Sequence, residues 1–243
     1  MAKDTNYTVH YQNKLNMVPL KNFNAKEMDL FFSLCAKMKE QGTKPIIFSF
    51  EELRELSNYK ITATKHFIND LDSLYTKMLQ LTYREGLFDD DDEGFRRFVL
   101  FTGFEVSTKR QTVSVSVNPS LENVLNNLTT EFSKFELVAF TEIKSKYTKT
   151  LFRLLMQFKK TGLYIVDLNE FRDLLDIPKS YQMFNIDQRI LNPALSELKT
   201  YFKDLKLEKI KARKGNKIEK LKFTFNGLQS DLPKVPLHNW LEQ

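Results

Sequence analysis

Residues 49–56 read Ser-Phe-Glu-Glu-Leu-Arg-Glu-Leu, and residues 167–174 read Asp-Leu-Asn-Glu-Phe-Arg-Asp-Leu. The two stretches keep the same class of side chain at most positions, including an arginine at the sixth. Each opens on a residue that favours a helix start, Ser49 or Asp167, and each has a glutamate three places later. The repeat predicts the same short helix in two similarly built modules.

The segments that flank the two copies also correspond. Each copy follows an amphipathic helix and a short strand, and it precedes a second helix and two alternating strands joined by a turn. In the first module we predict a helix at 25–40, a strand at 46–48, a helix at 62–84 and strands at 95–106 and 113–117. In the second we predict a helix at 142–160, a strand at 163–166, a helix at 186–202 and strands at 205–212 and 218–225. This order predicts an α+β fold of two tandem winged helix-turn-helix domains, each a three-helix core with a β-hairpin wing.

The repeat also predicts how the chain divides. Residues 1–24 are interpreted as an irregular N-terminal arm, because Pro19 breaks any helix there. Residues 25–128 form the first winged-helix domain, with a supporting DNA contact or a role in dimerisation. Residues 129–226 form the second and main DNA-binding domain, with a bridging strand at 131–139, and residues 227–243 form a proline-containing tail.

Composition limits the class of protein. The chain has 243 residues, of which 42% are hydrophobic and 13% aromatic, so it can bury a core. Its single cysteine, Cys35, is predicted to be a buried apolar residue, and no disulfide can form within the chain. The sequence has no long uncharged apolar run and no signal-peptide core at its N-terminus. We therefore expect a cytoplasmic protein without a membrane partner.

Charge is distributed unevenly along the chain. The net charge of the chain is +6. Residues 203–222 contain nine Lys or Arg and three Asp or Glu, so the net charge of this segment alone equals that of the whole chain. Residues 89–93, by contrast, are five acidic side chains in a row. Such an acidic run is typical of a solvated loop, and because it repels phosphates we expect DNA to be bound elsewhere.

The sequence lacks the common catalytic motifs. It has no Gly-x-x-x-x-Gly-Lys-Ser/Thr loop and no dinucleotide fingerprint. His10, His66 and His238 are far apart and do not form a metal-ligand pair, which disfavours a rolling-circle nickase. A carboxylate-metal nuclease stays open at this point. We expect a protein that binds without an enzymatic activity, a cofactor or a metal ion.

The second helix of a helix-turn-helix enters the major groove by its N-terminal residues. In the second module this is the helix predicted at 186–202. With Leu191, Leu195 and Leu198 facing the core, its opposite side carries polar residues. Arginine pairs well with guanine, and Asn or Gln with adenine, although the same pattern also fits an ordinary solvated face. The candidates for base contacts are Asn185, Gln188, Arg189, Asn192 and Ser196.

Basic and polar residues elsewhere are candidates for contacts to the DNA backbone. In the second module they lie on the outer face of its first helix and at the wing tip: Lys144, Lys146, Lys149, Arg213, Lys214, Asn216 and Lys217. The first module has a less basic set at the equivalent helix and wing: Thr62, Thr64, Lys65, Asn69, Lys109 and Arg110.

Two stretches of the second module carry a resemblance to a known family. Residues 187–198 read Asp-Gln-Arg-Ile-Leu-Asn-Pro-Ala-Leu-Ser-Glu-Leu, and residues 214–217 read Lys-Gly-Asn-Lys within a basic hairpin. Together they resemble the second winged helix of Rep_3-type plasmid replication initiators, over about residues 20–225 of the chain. The interior Pro193 should bend the helix, because it removes a backbone hydrogen bond.

The resemblance implies a plasmid replication initiator that binds direct repeats (iterons) in double-stranded origin DNA. It implies that the protein opens adjacent DNA, recruits the host replication initiator and helicase, represses its own promoter and exists as a homodimer in equilibrium with a monomer. By position, the base contacts fall on Gln188, Arg189, Asn192 and Ser196, and the wing contacts on Lys214 and Lys217. The alternatives are a sequence-specific transcriptional repressor, a DNA nickase or nuclease, and a winged-helix protein scaffold.

Overall fold

The structure is a computed structural model that describes residues 7–39, 41–42, 44–61, 63–86, 94–125, 132–213 and 215–227. Its α-helices are α1 (Ala25–Met38), α2 (Phe50–Leu56), α3 (Thr64–Met78), α4 (Glu122–Leu125), α5 (Leu137–Glu142), α6 (Lys146–Gln157), α7 (Leu168–Leu174), α8 (Met183–Ile186) and α9 (Asn192–Leu198). Its strands are β1 (Thr8–Gln12), β2 (Ile46–Ser49), β3 (Thr82–Gly86), β4 (Phe95–Val99), β5 (Phe101–Ser107), β6 (Thr112–Val117), β7 (Phe132–Glu136), β8 (Leu163–Asp167), β9 (Lys206–Lys211) and β10 (Ile218–Thr224).

Two antiparallel sheets of three strands repeat one arrangement. The first sheet has the order β2-β6-β5 and the second has the order β8-β10-β9. In both, the strand before the repeated helix pairs with the last strand of the wing: Phe48 lies opposite Val113, and Val166 lies opposite Leu221. Buried side chains alternate along β6 and along β8, so one face of each sheet packs on helices. This topology confirms the two predicted winged helix-turn-helix modules.

The repeated helices α2 and α7 begin differently. The Ser49 hydroxyl accepts a hydrogen bond from the Glu52 N–H at 3.1 Å, as an N-cap should. Asp167 holds the equivalent place, but its side chain caps no backbone group, and its carboxylate lies 3.8 Å from the Lys220 ammonium. The predicted cap is therefore present in the first copy and wrong for the second.

The helix predicted at 62–84 ends sooner, at Met78. The apolar stripe continues to Leu81, which is buried but lies outside the helix. Its N–H donates to the Met78 carbonyl at 3.1 Å, which closes a turn. Residues 82–86 then form β3, which pairs with β4, and the strand predicted at 95–106 is interrupted at Leu100. Periodicity extended this helix too far, because Leu81 keeps the helical spacing without being helical.

The N-terminal segment is not an irregular arm between residues 8 and 17. Its strand β1 pairs with β7 along its whole length, Val9 and Tyr11 are fully buried, and residues 13–17 form a 3-10 helix. The bridging strand predicted at 131–139 is shorter, because α5 starts at Leu137. The helix predicted at 142–160 is also divided, since Ser145 caps α6 by accepting from the Tyr147 N–H at 3.2 Å.

The β1–β7 pair and α5 lie between the two modules and join their cores. The Phe32 ring of α1 lies 6.0 Å from that of Phe135 and 4.8 Å from that of Phe140, measured between centroids. The Phe135 ring lies 5.3 Å from Phe152 of α6. Cys35 is buried in this core as predicted, and burial raises the pKa of its thiol to about 12. The aromatic side chains thus form one continuous core across both modules.

Candidate nucleic-acid interface

The helix predicted at 186–202 runs from residue 183 to residue 198 and consists of three parts. Between α8 and α9 lies a π-helical turn, Asp187–Leu191, and the Asn192 N–H bonds to the Asp187 carbonyl five residues back. Pro193 lies two residues after the end of this turn, with Asn192 between them. A proline in an α-helix loses one N–H and its ring collides with the carbonyl four residues earlier, so a locally wider turn accommodates it. The structure thus has a π turn just before Pro193, and the bend of the helix stays a prediction.

One side of this helix is buried and the other is exposed. Ile186, Ile190, Leu191, Ala194 and Leu198 are buried, and Leu195 packs against them while partly exposed. The structure places four of the predicted base-contacting residues on the opposite, exposed side: Gln188, Arg189, Asn192 and Ser196.

Arg189 is held in place by an aromatic neighbour. Its guanidinium donates a hydrogen bond to the Tyr181 hydroxyl at 3.1 Å and lies 5.2 Å from the centre of the Tyr181 ring. Both contacts favour one orientation of a long side chain, so less conformational freedom is left to lose when the guanidinium binds a target. Tyr181 was not singled out from the sequence.

Asn185 differs from the other candidates, since its side chain serves the start of the helix. Its amide oxygen accepts a hydrogen bond from the Gln182 N–H at 3.0 Å, and the Gln182 side chain accepts from the Asn185 N–H in return. This reciprocal pair is a capping box, which satisfies two N–H groups that a helix start leaves free. Asn185 is only partly exposed, so its first role is structural.

The turn before the helix is fixed by Arg172 of the repeated helix α7. Its guanidinium donates to the carbonyl oxygens of Tyr181 at 2.8 Å, Pro178 at 3.1 Å and Lys179 at 3.2 Å. In the first module Arg54 lies instead over the Phe67 ring, 4.6 Å from its centre. The sequence marked both arginines as a repeat but gave no signal for this contact. Arg172 therefore sets where the exposed helix begins.

The second wing is connected to the exposed helix. The Lys209 ammonium of β9 lies 2.6 Å from the carboxylate of Asp187 in the π turn. At the wing tip, Arg213 and Lys217 are exposed, and the Asn216 amide oxygen accepts from Lys211 at 3.2 Å. Lys214 lies outside the described residues. The structure thus brings the polar helix face and basic wing strands together in one region.

The three lysines predicted on the outer face of the second module's first helix have different environments. Lys144 is exposed, whereas the Lys146 ammonium is partly buried and lies 3.2 Å from the Asp176 carboxylate. Lys149 is fully buried; its ammonium lies 2.5 Å from the Asp29 carboxylate and donates to the Phe140 carbonyl at 2.6 Å. The prediction that Lys149 lies on the outer face is wrong, because α6 packs against both α1 and α9 and has little outer face.

The candidates of the first module lie on α3 and on the turn between β5 and β6. Lys65 and Asn69 are exposed and Thr64 is partly exposed, all in the first two turns of α3. Lys109 and Arg110 are exposed at the turn, and the Arg110 guanidinium lies 2.6 Å from the Glu105 carboxylate. Thr62, the acidic run at 89–93 and the tail from residue 228 lie outside the described residues.

The described part of the chain contains no group of three or more His, Cys, Asp or Glu side chains placed to hold a metal ion. Within the same residues, no helix has the length and apolar character needed to cross a membrane.

Comparison with known proteins gives family matches to most of the chain. The family model described as "Initiator Replication protein, WH1" matches residues 8–156, and "Initiator Rep protein, WH2" matches residues 167–225. A curated relative, "Probable replication protein rep" of Bifidobacterium longum (strain NCC 2705), is 35% identical over 196 residues, which are 79% of this chain and 65% of the relative. The chain thus spans slightly less than two-thirds of that protein's length.

A solved structure shares the fold. The structure described as "Crystal structure of Pi initiator protein in complex with iteron DNA" superimposes with a TM-score of 0.67 at 17% identity, covering 92% of this chain and 98% of the other. At this identity the likeness shows the fold alone. The first family model alone covers more than half of the chain, and the match to the second starts after a gap of ten residues. The resemblance drawn from the helix and wing sequence is confirmed, and the chain belongs to the initiator replication protein family, with a WH1 and a WH2 domain.

Proposed function

We propose that this chain is a plasmid replication initiator that binds direct repeats in the double-stranded DNA of an origin. The observation that carries the proposal is the exposed polar face of α8, the π turn and α9 beside a basic wing. A helix of this kind lies in the major groove, where side chains contact base edges, while a wing follows the phosphates. The Pi initiator, which shares the fold, is described as bound to iteron DNA.

Arg189 has the central role in sequence recognition in this proposal. Its planar guanidinium can donate two hydrogen bonds to one guanine, and Tyr181 already orients it. Gln188 and Asn192 offer amides that can pair with adenine, and Ser196 extends the same face by one helical turn. Because Asn185 uses its oxygen in the capping box, it contributes mainly through the position of the helix.

The wing and the first module supply contacts that fix the protein on the duplex. Arg213, Lys214 and Lys217 are assigned to phosphates at the wing tip, with Asn216 beside them. Lys144 and Lys146 are assigned to the DNA backbone. The contact from Lys146 is the weaker of the two, because its ammonium is paired with the Asp176 carboxylate. The first module contributes a supporting contact or a dimer interface, and its candidates are Thr62, Thr64, Lys65, Asn69, Lys109 and Arg110.

Initiation follows from several copies on adjacent repeats. Bending the DNA between occupied sites costs elastic energy, and an A·T-rich segment beside the repeats relieves it by opening. The bound copies then recruit the host replication initiator and helicase, and binding at its own promoter limits synthesis of the protein. A monomer–dimer equilibrium decides how many copies occupy the origin.

Selection of duplexes from a random library by the purified chain tests this function. We expect one recognised motif, and we expect it to occur as tandem direct copies near the gene. In a supercoiled plasmid carrying those copies, thymines of the flanking A·T-rich segment should become reactive to permanganate when the protein is added. A motif that occurs once, as an inverted repeat at the promoter, would instead indicate a repressor.

Replacing Lys217 with alanine is expected to weaken binding to selected and random duplexes alike. A phosphate contact carries no sequence information. Without it, DNA binding releases about one fewer counterion, so the slope of log Kd against log salt concentration should fall by about one unit. Fluorescence anisotropy at several salt concentrations measures both effects. Lys44→Ala, at an exposed lysine outside the proposed interface, is the control and should keep the wild-type slope. A loss confined to the selected duplex would place Lys217 on a base instead.

A further inference from the structure

The described residues include one exposed aromatic side chain on the proposed recognition helix that the polar set leaves out. Phe184, the second residue of α8, is 65% exposed, the largest value among the large apolar side chains described. Its neighbours are engaged elsewhere: Asn185 caps the helix and Ile186 is buried. The free energy of the system falls when an apolar partner covers a phenyl ring that is exposed to water.

The position of Phe184 is well determined by its surroundings. The preceding turn is held by three hydrogen bonds from Arg172, and the helix start is closed by the capping box. Phe184 lies four residues before Gln188, so the two side chains share one side of the helix. It therefore lies at the N-terminal end of the exposed face, the end that a recognition helix inserts into the major groove.

The major groove of DNA offers one apolar group at its floor, the 5-methyl group of thymine. We infer that Phe184 is a specificity-determining residue that packs on the 5-methyl group of a thymine next to the base contacted by Gln188. This inference rests on the proposed DNA-binding function and adds a base type that the polar residues do not select. Amide and guanidinium groups recognise adenine and guanine, so an apolar ring extends the readout to thymine.

The test uses the full chain and a fluorescent duplex that the chain has selected from a random library. Each thymine is replaced in turn by deoxyuridine, which removes the methyl group and keeps the base pair. Wild-type protein should lose affinity at one position by about fourfold, the value of one buried methyl-sized group. In Phe184→Ala the same replacement should change affinity little, because the partner of the methyl group is gone.

Two further variants keep the inference falsifiable. Phe184→Leu retains an apolar side chain and should retain part of the deoxyuridine effect, whereas Phe184→Gln should abolish it. Phe95→Ala is the matched control, since it removes a phenyl ring that is 51% exposed in β4, and it should keep the whole effect.

The outcomes separate this inference from the proposed function. If no thymine position couples to Phe184 while the selected duplex is still preferred over a shuffled one, the inference is overturned and the proposed function stands. If Phe184→Ala lowers affinity for selected and shuffled duplexes equally, or changes only the monomer–dimer equilibrium in sedimentation, Phe184 contacts the DNA backbone or another protein copy and the inference is also overturned. If wild-type protein prefers no duplex at all, the proposed function itself fails.

Discussion

Replacing Lys149 with methionine is expected to lower the free energy of unfolding by about 3 kcal/mol, because it removes one partner of a buried ion pair. The Lys149 side chain is fully buried, and its ammonium lies 2.5 Å from the Asp29 carboxylate of α1. Burial raises the pKa of the Asp29 carboxyl to about 7 even beside Lys149, and burial lowers the pKa of the Lys149 ammonium. Without Lys149, the Asp29 charge would lose its main compensation.

The loss should depend on pH in a defined direction. A carboxyl whose pKa is raised in the folded state contributes stability below its unfolded pKa and loses it as the pH rises through the folded pKa. Removing Lys149 raises that folded pKa of Asp29 further. The deficit of Lys149→Met relative to wild type should therefore be smaller at about pH 6 than at about pH 8, since Asp29 takes up a proton at the lower pH.

Urea denaturation followed by circular dichroism measures the deficit. Lys144→Met is the matched control, since Lys144 is an exposed lysine just before the same helix, and its stability should change by less than about 0.5 kcal/mol. The double variant Lys149→Met with Asp29→Leu should recover part of the loss, because it replaces both charges with apolar groups. Wild-type stability in Lys149→Met, together with a reduced salt dependence of DNA binding, would return Lys149 to the DNA interface.

Replacing Arg189 with alanine is expected to cost about 1–3 kcal/mol of binding to the selected duplex and much less on a shuffled one. A bidentate contact to one base is lost, and the preference for that base should relax at a single position. Arg189→Lys should not restore it, because a lysine ammonium lacks the planar pair of donors. Competition titrations against duplexes altered one base pair at a time locate the position.

Two variants show whether the loss belongs to the guanidinium itself. Tyr181→Phe removes the hydroxyl that accepts the hydrogen bond from Arg189 at 3.1 Å and should cause a smaller loss at the same base position. Lys199→Ala, an exposed basic residue at the other end of the helix, should leave the base preference unchanged. An Arg189→Ala protein with wild-type affinity for the selected duplex would remove Arg189 from the base contacts.

The features predicted correctly from the sequence are those that depend on local patterns. The repeat at 49–56 and 167–174 and the matching segments around it predicted both modules, each with a strand before the repeated helix and a hairpin after it. The spacing of the apolar residues in the helix after the second copy predicted that Gln188 and Arg189 lie on its exposed side, and they do. Pro193 predicted a missing backbone hydrogen bond in that helix, because the lost N–H is a local property, and the π turn ends just before it.

Several of the features that were missed depend on distant parts of the chain. Strand β1 pairs with β7, so Tyr11 lies opposite Ser133, and no pattern within either segment announces the other. Lys149 was placed on the outer face because only the apolar face of its own helix could be counted; the packing of α1 against the other side was not visible. Tyr181 and Arg172 act through a turn whose conformation is set by tertiary contacts.

We propose that this chain recognises a repeated DNA sequence by contacts to its bases. Fluorescence-anisotropy titration of the full chain tests this most directly. The titration uses a duplex repeat from the DNA flanking its gene and a shuffled duplex of the same composition, each at two salt concentrations. We expect tight binding to the repeat and a preference over the shuffled duplex that persists at the higher salt concentration, because base contacts depend less on salt than phosphate contacts do. Equal binding to both duplexes, falling together as salt increases, would contradict the claim.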